Sequence, residues 1–315
     1  MNDTRRLTEG ALMTGIYLLL LLLIIFMPFV GSIGLMVLPV PFVYYSYRHG
    51  WKAGALMLVA ATMFTFFFAS VFIVFTLLAG FGGLFLGGAL YHKRSSYEAL
   101  AIGSVGFIIG LVTTFLITQL LLGVDLMEEF NNSMNQAFST FERLFSGILE
   151  GESMEAEMAD FRELIDFIPD IIPSILAIAG VLMAFVSQWI TYKLINRIEN
   201  KQLKFVKFKN FKLPTSVLWY YFVALILNYV TMDSDGLLYL AAINVFILTG
   251  ALLVIQGFSF VFFYASMKKW SKAIPILIVV FSLLLPQILM YLVRILGIID
   301  IGFPLRERIE EKKEN

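Results

Sequence analysis

The sequence predicts an all-α fold, a polytopic transmembrane helix bundle, and three observations lead to this prediction. Of the 315 residues, 59% are hydrophobic and only 15% are charged, whereas roughly 25% of the residues in a soluble domain are charged. Several apolar runs reach the ~20 residues that a helix needs to cross the hydrocarbon core of a bilayer. The charged residues are concentrated in the connections between these runs, as in integral membrane proteins.

The order of apolar runs and loops predicts eight or nine spans. Basic loops alternate with loops that lack Lys and Arg, so the positive-inside rule predicts a multi-pass protein of the cell membrane with a cytoplasmic N-terminus. A ninth crossing would place the basic C-terminal tail outside, and the sequence leaves open whether the last segment crosses. The predicted helices cover residues 10–28, 34–47, 52–77, 79–91, 98–123, 171–192, 214–232, 237–266 and 273–297.

The first apolar run could be read as a cleaved signal peptide, because Arg5 and Arg6 precede it. A signal peptide has an apolar region of about 7–15 residues. The run from Ala11 to Val30 is about twenty residues long, which is enough to span a bilayer. We therefore expect this run to be retained as the first transmembrane helix.

The composition along the chain predicts four regions. The acidic region carries Phe and Met at helical spacing, which predicts amphipathic helices. These helices either lie on the membrane face or form a lid over an outward-facing cavity. The regions are an N-terminal membrane bundle at 1–123, an acidic extracytoplasmic segment at 124–170, a C-terminal membrane bundle at 171–299 that includes a cytoplasmic polybasic loop at 193–212, and a charged tail at 300–315.

The polybasic loop has the composition of a segment that contacts lipid. Lys204, Lys207, Lys209 and Lys212 alternate there with phenylalanines at every third position. Lysines next to anionic headgroups contribute about 1 kcal/mol each, and the phenylalanines would lie at the interface. We expect anionic headgroups rather than nucleic acid as the partner, because the loop is tethered to the bilayer and no RNA-binding module surrounds it.

The residue types argue against enzyme chemistry. There is no cysteine, and the two histidines, His49 and His92, stand beside basic residues without a nearby carboxylate cluster. The chain has no HExxH motif and no Walker A sequence. We therefore expect neither an enzyme nor a bound metal or cofactor. Any active transport would need energy from a partner or from an ion gradient.

The first predicted helix carries small residues on one face near its cytoplasmic end. Gly10, Ala11, Thr14 and Gly15 form two overlapping pairs at i, i+4 spacing. Small residues at this spacing let a second helix approach closely, which drives helix association in lipid. The second helix could belong to the same bundle or to a separate subunit, and the sequence leaves both interpretations open.

These residues also carry a resemblance. The stretch TRRLTEGALMTG, the span ending in MPFVG, and LPVPF leading to YRHGWKAG resemble the start of the YybS-type predicted membrane proteins, and the resemblance covers most of the chain. About the first 125 residues more distantly resemble the substrate-binding (S) components of energy-coupling-factor vitamin transporters. That second resemblance implies that Ala11 and Gly15 dock a transmembrane coupling subunit.

Polar residues inside the predicted spans suggest a solute site. The prolines of helix 34–47 would free backbone carbonyls near the midplane, and broken helices often mark transporter sites; a simple kink is the alternative. Most of the intramembrane amides and one arginine map to the outer half, which suits a small polar solute. Interhelical hydrogen bonds are the alternative for the amides. The candidate substrate-binding residues are Pro39, Pro41, Gln119, Asn228, Tyr229, Asn244, Gln287 and Arg294.

Two functional hypotheses follow from these patterns. The first is a small-solute binding or transport protein that resembles an energy-coupling-factor S component. The alternative is a non-transporting membrane scaffold, or an assembly or regulatory protein, that recruits partners. The two differ in whether a solute occupies a cavity lined by Asn228, Asn244 and Gln287.

Overall fold

The architecture is taken from a computed structural model. The chain divides into two compact units, residues 1–204 and 205–315, and each is described by itself. The division falls inside the predicted polybasic loop. Throughout the described residues the secondary structure is helical without β-strands, which confirms the all-α prediction. The structure describes residues 3–27, 34–120, 123–145, 152–231, 236–303 and 305–314.

The helices of the first unit pack against neighbours in chain order and also against helices further along the chain. A short 3₁₀ turn at Ser70–Phe72 separates the third helix from the fourth, and the two fold back on each other, so that Leu58 packs beside Gly80. The main helices are α1 (Asp3–Phe26), α2 (Val40–His49), α3 (Trp51–Ala69), α4 (Ile73–Tyr91), α5 (Ser96–Leu120), α6 (Leu126–Phe145) and α7 (Glu152–Glu199).

A chain of buried hydroxyl groups joins α1 to the α3–α4 hairpin. The Tyr17 hydroxyl donates to Thr76 Oγ1 at 2.6 Å, and the Thr76 hydroxyl donates to Thr65 Oγ1 at 3.0 Å. All three side chains are buried. Because an unpaired hydroxyl is costly away from water, this chain of hydrogen bonds favours one position of α1 on the hairpin.

The predicted proline-broken helix at 34–47 is different in the structure. Residues 34–37 form one helical turn, and α2 then starts at Val40 with Pro39 and Pro41 in its first turn. Proline is compatible with the first turn of a helix, where its missing amide would lack a partner anyway. The Pro39 carbonyl accepts the Val43 amide at 3.0 Å. The prolines therefore begin a helix rather than interrupt one.

The acidic region forms helices, as its periodicity predicts. Helix α6 covers Leu126–Phe145, and Phe138 is buried. Helix α7 is continuous over 48 residues from Glu152 to Glu199 and includes Pro169 and Pro173. A helix of this length is about 72 Å long, more than twice the ~30 Å hydrocarbon core. The first part of α7 must therefore extend beyond the apolar span at Phe167–Glu199.

In the second unit, two helices pack in parallel at very short distance. Phe246 contacts Arg294, and Gln256 is hydrogen-bonded to Asp300. A Cβ added to Gly297 would lie 2.0 Å from the Leu253 carbonyl oxygen, so only glycine fits this crossing. The helices of this unit are α8 (Ser216–Val230), α9 (Leu237–Met267), α10 (Ala273–Leu284), α11 (Tyr291–Gly302) and α12 (Leu305–Glu314), with a π-helical turn at Pro286–Met290.

The segment predicted as one span at 273–297 is a hairpin. Helices α10 and α11 are bent by 114° at a break next to Pro286. Helix α10 begins shortly after α9 ends, and α11 runs parallel to α9. The hairpin therefore starts and finishes at the same end of the unit. The tail helix α12 begins at this end.

The predicted count of eight or nine spans is not confirmed. Five helical stretches are long and apolar enough to cross a membrane, or six if the α10–α11 hairpin is included. One stretch, Trp51–Tyr91, is counted once although it folds back on itself at the 3₁₀ turn. Helix α8 is apolar but has only 15 residues, so it is not counted among these stretches. Hydropathy alone does not distinguish a short buried helix or a hairpin from a crossing.

Two adjacent glycines in α4 provide a test of this packing. A Cβ at Gly87 would lie 2.4 Å from the Val43 carbonyl oxygen, whereas a Cβ at Gly88 would lie 3.5 Å from the nearest atom, in Trp51. We expect Gly87→Ala to lower the free energy of unfolding by about 1–3 kcal/mol through overpacking. Gly88→Ala, the matched control, should be neutral or stabilising, because alanine favours helix. Thermal unfolding of the purified protein measures both, and equal effects would contradict the described α2–α4 contact.

Candidate functional site

A mostly apolar groove of about 660 Å³ opens between α1 and α3. Leu7 and Leu56, on its two sides, are exposed. Among the described residues, Tyr45 of α2 is the only lining residue outside these two helices, and its hydroxyl donates to the Arg6 carbonyl at 3.1 Å. The α1 groove, as we call it, is lined by Arg6, Leu7, Gly10, Ala11, Thr14, Gly15, Leu18, Tyr45, Leu56, Met57, Ala60 and Phe64.

The four small residues predicted as one docking face line this groove, but they do not share one environment. Gly10 packs under the Tyr45 hydroxyl, where an added Cβ would lie 2.8 Å from the oxygen. Thr14 is buried and donates to the Gly10 carbonyl. Ala11 is exposed, and a Cβ on Gly15 would meet no atom within 4 Å. Gly10 and Thr14 therefore serve internal packing, and Ala11 and Gly15 are open.

A charged cluster near Arg6 fixes the position of α1 relative to α2 and α7. Glu9 Oε2 lies 3.1 Å from Arg48 Nη1 and 2.8 Å from His49 Nε2. Arg48 also lies 3.7 Å from a second carboxylate, Glu199 at the end of α7. These ion pairs tie three helix ends together beside the groove. Neither carboxylate was predicted as a site residue, because the partners lie far apart in sequence.

Tyrosine and lysine side chains complete the environment of Glu199. The Tyr44 and Tyr47 hydroxyls donate to its carboxylate at 3.4 and 3.1 Å. Lys201, just beyond the helix, lies 2.8 Å from the same group. The hydrogen bond to Glu199 raises the pKa of Lys201 above its usual value, so this lysine stays protonated at neutral pH.

The second unit contains a buried ion pair that the sequence did not indicate. The Asp300 carboxylate is inaccessible, and Arg306 Nη2 donates to it at 2.6 Å. The Gln256 amide also donates to Asp300. In the sequence, Asp300 ends an apolar run and Arg306 follows just after the helix ends. This pattern could have indicated the ion pair.

This buried pair holds the predicted polybasic loop against α9. Arg306 donates to the Lys209 carbonyl at 2.8 Å, and the Ser259 hydroxyl is 2.8 Å from the carbonyls of Phe208 and Phe211. The Gln256 side-chain oxygen accepts the Leu213 amide at 2.9 Å. The backbone of residues 208–213 is thus hydrogen-bonded to buried side chains, and it forms a fixed segment of the unit.

The four lysines predicted to contact headgroups have different surroundings. Lys209 is half-buried and donates to the Ser266 hydroxyl at 2.7 Å. Lys212 is exposed and lies 3.7 Å from Glu307. Lys204 and Lys207 are exposed, and no ion pair to them occurs among the described residues. Lys204 ends the first unit, whereas the other three belong to the second.

The candidate substrate-binding residues are distributed over both units. Pro39, Pro41 and Gln119 belong to the first unit and the other five to the second. The two prolines are buried and Gln119 is exposed. The structure therefore assigns these three residues to a different unit from the amides of α8 and α9.

Within the second unit, the predicted polar residues face different environments. Tyr229 is 82% exposed, and Gln287 is also exposed. Asn228 is half-buried, and the buried Asn244 donates to the Leu240 carbonyl one turn earlier. Arg294 is half-buried over the Phe246 ring, and its buried Nε atom has no hydrogen-bond partner among the described residues. Arg294 and the buried Asp300 lie on the same helix, α11, about 9 Å apart along its axis.

Comparison with known proteins identifies the family of this chain. The model described as "Predicted membrane protein (DUF2232)" matches residues 15–301. The chain belongs to this family. One relative is the "Uncharacterized protein YybS" of Bacillus subtilis (strain 168), which is 27% identical over 311 residues, or 98% of this chain and all of the relative. The predicted YybS-type resemblance is thereby confirmed. No solved structure matches the chain.

The buried ion pair of this family member gives a second prediction. Asp300→Asn should lower the free energy of unfolding by about 3 kcal/mol, because Arg306 would lose its charged partner at a site that remains buried. Limited proteolysis should also cut residues 205–213 faster. Glu307→Gln is the matched control, since its contact with Lys212 is long and exposed, and it should change neither measurement. Equal behaviour of the two variants would show that the buried pair does not hold the segment.

Proposed function

We propose that this protein is a membrane-embedded subunit that docks a transmembrane helix of a partner protein in the α1 groove. The observation that carries the proposal is the open pair Ala11 and Gly15, which lines the groove without being used in the packing of the chain itself. Small residues one turn apart permit the close backbone contact by which helices associate in lipid. The adjoining seam of Thr14, Tyr17 and Leu21 is already buried.

A protein helix suits the groove better than an acyl chain does. An acyl chain gains nothing from glycine, because lipid adapts to a surface of any shape, whereas a helix needs a flat face. The wall from Leu7 to Leu18 is about 17 Å long, or three helical turns. Arg6 lines the groove and has no ion pair among the described residues. We infer a partner helix with small residues and a carboxylate level with Arg6.

The docking proposal has two forms. In the first, which follows the resemblance to S components, the partner is a transmembrane coupling subunit and the chain binds a small solute. The half-buried Arg294 and the buried Asn244 are the residues of the predicted solute set that favour this form. The alternative is a non-transporting scaffold or assembly protein. The outward position of Tyr229 and Gln287 favours that alternative. Both forms use the same docked helix.

Site-specific crosslinking tests the docking, because the natural chain has no cysteine. Gly15→Cys, labelled with a photoreactive maleimide in native membranes, should give a crosslink to a transmembrane helix of a second protein. Phe67→Cys is the control, since Phe67 is 75% exposed on α3 but does not line the groove. Crosslinks only to lipid, or a product of two identical chains, would overturn the proposal. Mass spectrometry of solutes that co-purify separates transport from scaffolding.

A pair of substitutions separates docking from internal packing. Gly15→Leu fills open space, so we expect an unchanged melting temperature and loss of the partner protein that co-purifies with the natural chain. Gly10→Leu places its side chain against Tyr45, so we expect a loss of stability of about 1–3 kcal/mol. If Gly15→Leu instead destabilises the isolated protein as much as Gly10→Leu does, the face serves internal packing and the docking proposal is wrong.

A further inference from the structure

Two basic segments that are about sixty residues apart in sequence meet at one end of the second unit. The first is the fixed segment around Lys207 and the second is the turn after α9, at residues 268–272. The Lys209 ammonium donates to Ser266 at 2.7 Å, and the rings of Phe208 and Phe262 are 5.5 Å apart. The sequence predicted headgroup binding for the first segment alone. Only the fold shows that the second segment lies beside it.

The two segments differ from their surroundings in having lysines without acidic partners. Lys207, Lys268, Lys269 and Lys272 are exposed, and no ion pair to them occurs in the described part of the chain. Lys268 lies over the Tyr264 ring, at 5.9 Å from its centroid. The two acidic side chains of this unit that the structure describes are already paired, since Glu307 faces Lys212 and Asp300 is bound by Arg306. Among the described side chains, the four lysines therefore carry positive charge that no carboxylate compensates.

The surface also has the features of a membrane interface. Trp270 is 46% exposed between Lys269 and Lys272 and contacts the Tyr264 ring edge-on. Tryptophan is enriched at the level of lipid headgroups because its ring is amphipathic. The hydrogen bonds from Arg306 and Ser259 to the backbone of residues 208–211 hold the first segment in place. The backbone next to Lys207 is thus already ordered before a ligand binds, which lowers the ordering cost at this segment.

We propose that Lys207, Lys268, Lys269 and Lys272, together with Trp270, form a binding surface for the phosphate groups of anionic phospholipids. The recognised chemistry is a phosphodiester beside an apolar chain: the ammonium groups contact the phosphate and Trp270 contacts the glycerol and upper acyl region. This revises the predicted headgroup set, since Lys209 and Lys212 are engaged within the unit. The surface is independent of the α1 groove, which belongs to the other unit.

The test uses the purified full-length protein and three probes: short-chain phosphatidylglycerol, short-chain phosphatidylcholine and inorganic phosphate. We expect phosphatidylglycerol to bind at least about tenfold more tightly than phosphatidylcholine at low salt, because each nearby lysine strengthens binding about fivefold. This preference should vanish near 1 M salt, where the Debye length is about 3 Å. Inorganic phosphate should compete only weakly, since it has no apolar chain for Trp270.

The matched variants are two double substitutions with the same change in charge. Lys207→Gln with Lys269→Gln should weaken phosphatidylglycerol binding by about tenfold or more. Lys52→Gln with Lys93→Gln, in the first unit, should leave it unchanged. All four lysines are exposed, so we expect both proteins to fold normally. Equal binding of the two lipids, equal weakening by the two variants, or competition by phosphate as strong as that by the lipid would each overturn the proposal.

Discussion

The structure depends on one constraint: inside a bilayer there is no water to bond a polar group, so such a group is costly unless the chain supplies a partner. The hydroxyl relay from Tyr17 to Thr65 meets this need between α1 and the α3–α4 hairpin. The Asp300–Arg306 pair meets it in the second unit. Each of these polar contacts is directional, so each selects one arrangement of helices that apolar packing alone would leave less specific.

The same constraint explains why glycine is used where helices cross. In lipid the helices gain little from burying apolar side chains, because lipid tails are equally apolar, and association therefore depends on close van der Waals contact. At the α9–α11 crossing, Gly257 and Gly297 bring the two backbones together. Ala11 and Gly15 have this same property without a partner from the chain itself. This open face of Ala11 and Gly15, which permits close contact, is the physical basis for the proposed docked helix.

The two proposed surfaces would bind different partners within the same membrane. In these proposals the α1 groove faces the hydrocarbon region and selects a partner by shape, whereas the lysine surface faces the headgroups and selects lipid by charge. Each surface is supported by a polar network beside it, the Glu9–Arg48 cluster in one unit and the Asp300–Arg306 pair in the other. These networks hold backbone segments in place, so the residues on the surface are available for contact.

How much of this could be predicted varies with the kind of information involved. The sequence determined the all-helical membrane class, the periodic helix α6 and the small-residue face of α1, because hydropathy, periodicity and residue size are local properties. Only the tertiary structure decided which half of that face is open, that α10 and α11 form a hairpin, and that Asp300 is buried. These depend on contacts such as Gln256 with Asp300 and Lys209 with Ser266, whose partners lie 44 and 57 residues apart. A local pattern cannot specify such a pair, because the free energy of a buried polar group is set by the partner that the fold brings to it.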